Sequence, residues 1–84
     1  MKLVDLEGEV YQGTPVQIVS KMRNVYNRFN AKPAATNEEF MRAYIETFKF
    51  LKDPIMCDGN TLEEKCNLFI QSLLKSQQAK EVTS

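Results

Sequence analysis

Apolar residues recur along this chain with the spacing of helices and strands in turn, and that alternation predicts most of its architecture. Over residues 15–29 they fall three and four positions apart, at Ile18, Val19, Met22, Val25, Tyr26 and Phe29, the stripe of an amphipathic helix. Its start is specified locally: Thr14 is placed as N-cap, Pro15 at the first helical position and Gln17 two residues further, the pattern of a capping box. Gly13 ends whatever precedes it.

What precedes it is a hairpin pattern. Residues 2–4 and 9–12 are rich in β-branched and aromatic side chains around Leu6-Glu7-Gly8, where Gly8 can take the positive φ of a three-residue loop with a bulge. That loop pairs Val4 with Val10 and Leu3 with Tyr11. A two-residue Glu7-Gly8 turn would instead set Asp5 opposite Val10 and leave neither face apolar. An isolated hairpin is marginal in water, so one face must lie on the helices.

Beyond Pro33 the helical spacing resumes. Thr36 with Glu39 predicts a second capping box and a helix to about residue 52, ended by Asp53-Pro54, with Met41, Tyr44, Ile45, Phe48 and Leu51 on its buried side. Phe40 lies at the edge of that stripe. Phe50 points away from Phe48, because two residues along a helix turn it by about 200°. Ile55-Met56-Cys57 is long enough for a short third strand, of undecided direction, before the Asp58-Gly59 turn. Thr61 with Glu64 opens a third helix, in which Leu62, Cys66, Phe69, Ile70, Leu73 and Leu74 share a face and Leu68 falls outside it. The expectation is an α+β fold, an N-terminal hairpin packed against three helices, in one domain over residues 1–74. Residues 75–84 carry no apolar pattern and are expected to fray.

Composition narrows the chemistry. The 84 residues hold no histidine, so the usual general base and the commonest transition-metal ligand are both missing. Catalysis, a metal and a cofactor are therefore not expected. Three scattered glycines make no phosphate-binding loop, and Asp58-Gly59-Asn60 lacks calcium-loop spacing. The carboxylate pairs Glu38/Glu39 and Glu63/Glu64 fall in first helical turns, where the macrodipole accounts for them. Cys57 and Cys66 read as reduced thiols, with one disulfide as the rival. No run is apolar enough to span a membrane, and Asp5 stands where a signal peptide would carry apolar residues, so the expected location is the cytoplasm.

Eleven basic and eleven acidic residues cancel, which argues against a protein that coats nucleic acid. The long, proline-containing link before the second helix also argues against a helix-turn-helix. Locally, however, no acid occurs between Val10 and Asn37, leaving Lys21, Arg23, Arg28 and Lys32 as a candidate surface for a partner or an anion such as a nucleic acid or signalling nucleotide. A solvated face is the plainer reading of the same residues. Phe50 and Leu68 are candidate oligomer contacts, since the predicted core claims neither, with packing of Phe50 against the loop that follows the helix as its plainer fate.

The opening Asp5-Leu6-Glu7-Gly8-x-Val10-Tyr11-x-Gly13-Thr14-Pro15-x-x-Ile18-Val19-x-x-Met22-Arg23 resembles a group of small proteins carried by bacteriophages and other mobile elements of Firmicutes. The matching residues are turn, cap and core positions, and the longer connection over residues 30–35 departs from the compact acidic link of that group. The resemblance implies the order hairpin, helix, helix, short strand, helix. It also implies a non-enzymatic protein that binds a bacterial host protein, such as an inhibitor of a defence system; the unclaimed Phe50 and Leu68 add the expectation of a homo-oligomer. Binding of nucleic acid or a nucleotide through the basic residues is the alternative, and a structural or regulatory phage component a third.

Overall fold

The computed structural model describes residues 1–30 and 32–82. Strands β1 (Lys2–Asp5) and β2 (Val10–Gln12) form the hairpin, followed by helices α1 (Pro15–Arg28), α2 (Asn37–Thr47) and α3 (Leu62–Lys75) and a last strand β3 (Ala79–Glu81). The result is an α+β fold with an antiparallel sheet in the order β2-β1-β3 and β1 at its centre.

The hairpin has the expected register, Leu3 opposite Tyr11 and Val4 opposite Val10. Its loop is closed by Asp5 N–H donating to the Glu9 carbonyl (3.0 Å) and Gly8 N–H donating to the Asp5 carbonyl (3.1 Å). Gly8 sits at φ +87°, so the glycine is what lets the loop close in three residues. Because side chains alternate across a strand, Leu3, Tyr11 and Ala79 all point to the buried face. Val4, Val10, Lys2, Gln12 and Lys80 occupy the other.

The capping box of α1 is complete, with Thr14 Oγ1 accepting from Gln17 N–H and Gln17 Oε1 accepting from Thr14 N–H. At α2 and α3 the threonine half is present, but the glutamate reaches one residue further back. Glu39 accepts from Ala35 N–H (2.9 Å) and Glu64 from Asn60 N–H (2.8 Å). Each cap contributes about 1 kcal/mol.

The core lies between the sheet and the helices and is centred on Leu3, Ile18, Val19, Met41, Cys66, Phe69 and Ile70. Phe40, expected at the edge of the α2 stripe, is instead buried at its middle. Its ring packs within 5.3 Å of Tyr26 and 5.9 Å of Phe69, both edge-on, the favoured arrangement of aromatic quadrupoles. Phe29, expected on the buried stripe of α1, is the cap residue of that helix and lies in solvent, because the backbone leaves helical geometry there.

Two further expectations are corrected. Helix α2 ends at Thr47 rather than near residue 52: the Thr47 hydroxyl donates to the Ala43 carbonyl (2.9 Å), Phe48 becomes the cap and the chain continues in turns. The third strand is not at residues 55–57. Both edges of β1 are filled by β2 and β3, and Ile55-Met56-Cys57 runs against α3, where Met56 N–H donates to Ser72 Oγ (3.2 Å).

Strand β3 comes from the segment expected to fray. Past the Ser76 cap, Gln77 N–H donates to the Leu74 carbonyl (3.2 Å) and Gln78 N–H to the Leu73 carbonyl (2.9 Å), a Schellman turn. Gln77 holds the left-handed position at φ +63°. The turn sends the chain back along β1, pairing Ala79 with Asp5 and Glu81 with Leu3, and Val82 N–H donates to the Lys2 carbonyl. Residues 83 and 84 lie outside the described residues.

Candidate functional site: an aromatic cleft with a fixed carboxylate

The basic residues do not form one free surface. Lys21 donates to the Val10 carbonyl and its ammonium lies 5.5 Å from the centre of the Tyr11 ring, so it covers the outer edge of the hairpin. Arg23 donates to the Ala35 carbonyl (2.6 Å) and ties α1 to the connection before α2. Asn27 reinforces that tie, exchanging hydrogen bonds with Ala34 N–H and carbonyl at 2.8 and 2.9 Å. Arg28 and Lys32 are exposed. Of the candidate oligomer contacts, Phe50 is 75% exposed, and its ring lies 6.1 Å from that of Phe48 rather than on the opposite side, because α2 has ended at Thr47 and helical spacing no longer separates them. Leu68 is half-buried outside the core cluster.

What the structure assembles instead is a cleft of about 350 Å³ where the hairpin loop meets the ends of the helices. Val25, Tyr26, Phe29 and Asn30 come from the end of α1, Tyr44 and Phe48 from the end of α2, Leu73 from the last turns of α3, and Gln78 and Ala79 from the turn into β3 and its first residue. The hairpin supplies Asp5, Leu6, Glu7 and Tyr11. The volume is within the range of ligand sites, about 300–1,000 Å³. Its rim is apolar: Phe29 is 82% exposed and Leu6 69%, which is unusual for a helix cap and a hairpin tip.

The polar centre of the cleft is Asp5. Its Oδ1 accepts from the backbone N–H groups of Glu7 and Glu9, both at 2.9 Å, and Oδ2 accepts from the Tyr11 hydroxyl at 2.8 Å. These three donors fix the carboxylate and the loop together. Its charge is felt across the cleft. Burial, then the Asp5 charge, pushes the Tyr44 hydroxyl up to about 12. Burial, the hydrogen bond to Asp5 and the charges of Asp5, Glu9 and Glu7 push the Tyr11 hydroxyl up as well.

A smaller hollow of about 200 Å³ is lined by Glu38, Met41, Arg42, Cys57, Asp58, Gly59 and Lys65. Its charges answer one another, Glu38 pairing with Lys65 at 3.5 Å and with Arg42 at 3.9 Å. Both cysteines are free, and burial pushes both thiols up, away from the reactive thiolate. Among the described residues no cluster of three acidic or thiol groups could hold a metal ion. Nor is any helix of the described residues long and apolar enough to cross a membrane.

The sequence pattern missed the cleft because its walls come from the ends of separate elements. One signal was present, a leucine at the tip of a tight hairpin where polar residues are usual. No family model, curated protein or solved structure matches the chain.

Proposed function

We propose that this chain is a small non-enzymatic binding protein that docks a protein partner on the aromatic cleft. The observation that carries the reading is the exposed apolar rim, Leu6 and Phe29 at the cleft and Phe50 one ring beyond Phe48. Exposed aromatics around a concave apolar surface are what interface anchors look like before a partner covers them. The unactivated thiols and the absence of histidine support a binding role over catalysis.

The resemblance of the opening to phage and mobile-element proteins supports a bacterial host protein as the partner, with inhibition of that host or defence protein as the consequence. A second copy of the chain is the other candidate occupant, and solution mass separates the two. Binding of nucleic acid or a nucleotide has less support, since Lys21 and Arg23 hold backbone carbonyls.

Affinity capture from a bacterial lysate tests the reading when wild type is compared with Phe29→Ser. The substitution lies in solvent, so folding stability should move by no more than about 0.5 kcal/mol. A partner recovered by wild type and lost with Phe29→Ser is the expected result. Recovery by both would remove the cleft from the account.

A further inference from the structure

The cleft is electrically one-sided. Among the described residues Asp5 and Glu7 line it and no lysine or arginine does. Among the described residues neither carboxylate takes part in an ion pair, whereas Glu38 and Glu46 do. Lys21 approaches Tyr11, but its ammonium is bonded to the Val10 carbonyl at the edge of the sheet. The chain as a whole carries no net charge, so the excess of carboxylates here is a local feature.

Asp5 is also preorganised. Two backbone amides and one phenol hold it in place, and a carboxylate offers about four acceptor positions, so one remains for an incoming donor. Around it stand Tyr26, Phe29, Tyr44 and Phe48. Aromatic rings beside a carboxylate favour the cation of a lysine or arginine together with its apolar stem. The apolar rim, extended past Phe48 by Phe50, is wider than one small ligand needs.

We propose that the cleft receives a basic amphipathic segment of a partner protein, its apolar side chains seated against Leu6, Phe29 and Phe48 and a lysine or arginine meeting Asp5 and Glu7. This rests on the docking role proposed above and adds the chemistry of what docks. A partner with an acidic contact surface would meet an unpaired like charge at the loop and be rejected.

The test uses two labelled helical peptides, one of leucine and lysine and one of leucine and glutamate, titrated into the whole protein and followed by amide NMR shifts and anisotropy. The leucine–lysine peptide should shift the amides of Tyr11, Tyr44 and Phe48, bind more weakly as salt rises, and outcompete its acidic counterpart. Asp5→Asn with Glu7→Gln should weaken it about tenfold, while Glu7→Gln alone, at an exposed position, gives a smaller loss in a fold that is not in question. Asn keeps the Oδ1 acceptor for both loop amides, and a dispersed amide spectrum checks that the loop is intact.

Equal binding of the acidic peptide, or full affinity in the double variant, would overturn the charge preference and leave the docking role standing. If neither peptide reaches the cleft, the preference falls. The docking role falls with it only if Phe29→Ser also keeps its captured partner.

Discussion

The turn that delivers β3 to the sheet is held by a residue poorly suited to it, and replacing that residue should stabilise the protein. Gln77 occupies the left-handed position of the Schellman turn at φ +63°. A side chain there brings Cβ against the following carbonyl, at a cost of about 1–2 kcal/mol. Gln77→Gly removes that cost but frees the unfolded chain, returning about 0.5–1 kcal/mol. The Gln77 side chain is exposed and contributes no core contact to lose. The net expectation is a gain of about 0.5–1 kcal/mol. In a domain of this size each kcal/mol moves Tm by about 4–8 °C, so Tm should rise by about 2–8 °C. Urea unfolding followed by circular dichroism should show the midpoint rising with an unchanged slope, since the surface exposed on unfolding is the same. Gln77→Val, β-branched and worse in this conformation, should move the midpoint the other way. A loss of stability with glycine, or a gain with valine, would refute the turn and the return of the chain along β1.

Two further outcomes follow from Asp5. Tyr11→Phe removes a hydrogen bond to a carboxylate while keeping the buried ring, and should cost about 1.5–3 kcal/mol in urea unfolding; combined with Asp5→Asn, the losses should be markedly less than additive. In alkali, the folded Tyr44 hydroxyl stays protonated to about 12 against an ordinary value of 10.0, so the unfolded chain releases its proton first. Stability should therefore be full below about pH 10 and decline as pH rises from there towards 12, with Tyr11, also raised, deepening the loss. Absorbance titration of tyrosinate alongside unfolding curves checks both, and a stability flat across that window would contradict the assignment.

The contrast between what the residues announced and what they concealed has a physical basis. The hairpin register was readable because only one pairing of residues 2–4 with 9–12 put Leu3 and Tyr11 on the same face. The helix starts were readable because Thr14, Thr36 and Thr61 act within four residues of themselves. Strand β3 was not: Ala79-Lys80-Glu81 buries one small side chain and is held by backbone bonds to β1, which leave no side-chain period. Its turn lacked the glycine that usually marks such a reversal. For the same reason the apolar run Ile55-Met56-Cys57 read as strand although α3, not the sheet, receives it.

The site divides in the same way. Lys21 and Arg23 are conspicuous as charges without acids in sequence, yet the carbonyls that engage them, of Val10 and Ala35, are invisible to any count of charged residues. Asp5 and Tyr11 looked like hairpin residues and nothing more. Only the folded chain, with β3 returned beside β1 and the end of α2 set against the hairpin loop, brings Ala79, Tyr44 and Phe48 around them.

The claim that the cleft is the working surface is tested most directly by replacing single residues with a photo-crosslinking amino acid in bacterial cells. Phe29 at the rim is compared with Asn24, exposed on the opposite side of α1. A discrete adduct to one protein from position 29 and none from position 24 is the predicted result. Adducts from position 24 alone would put the partner on the polar face of α1 and contradict the account.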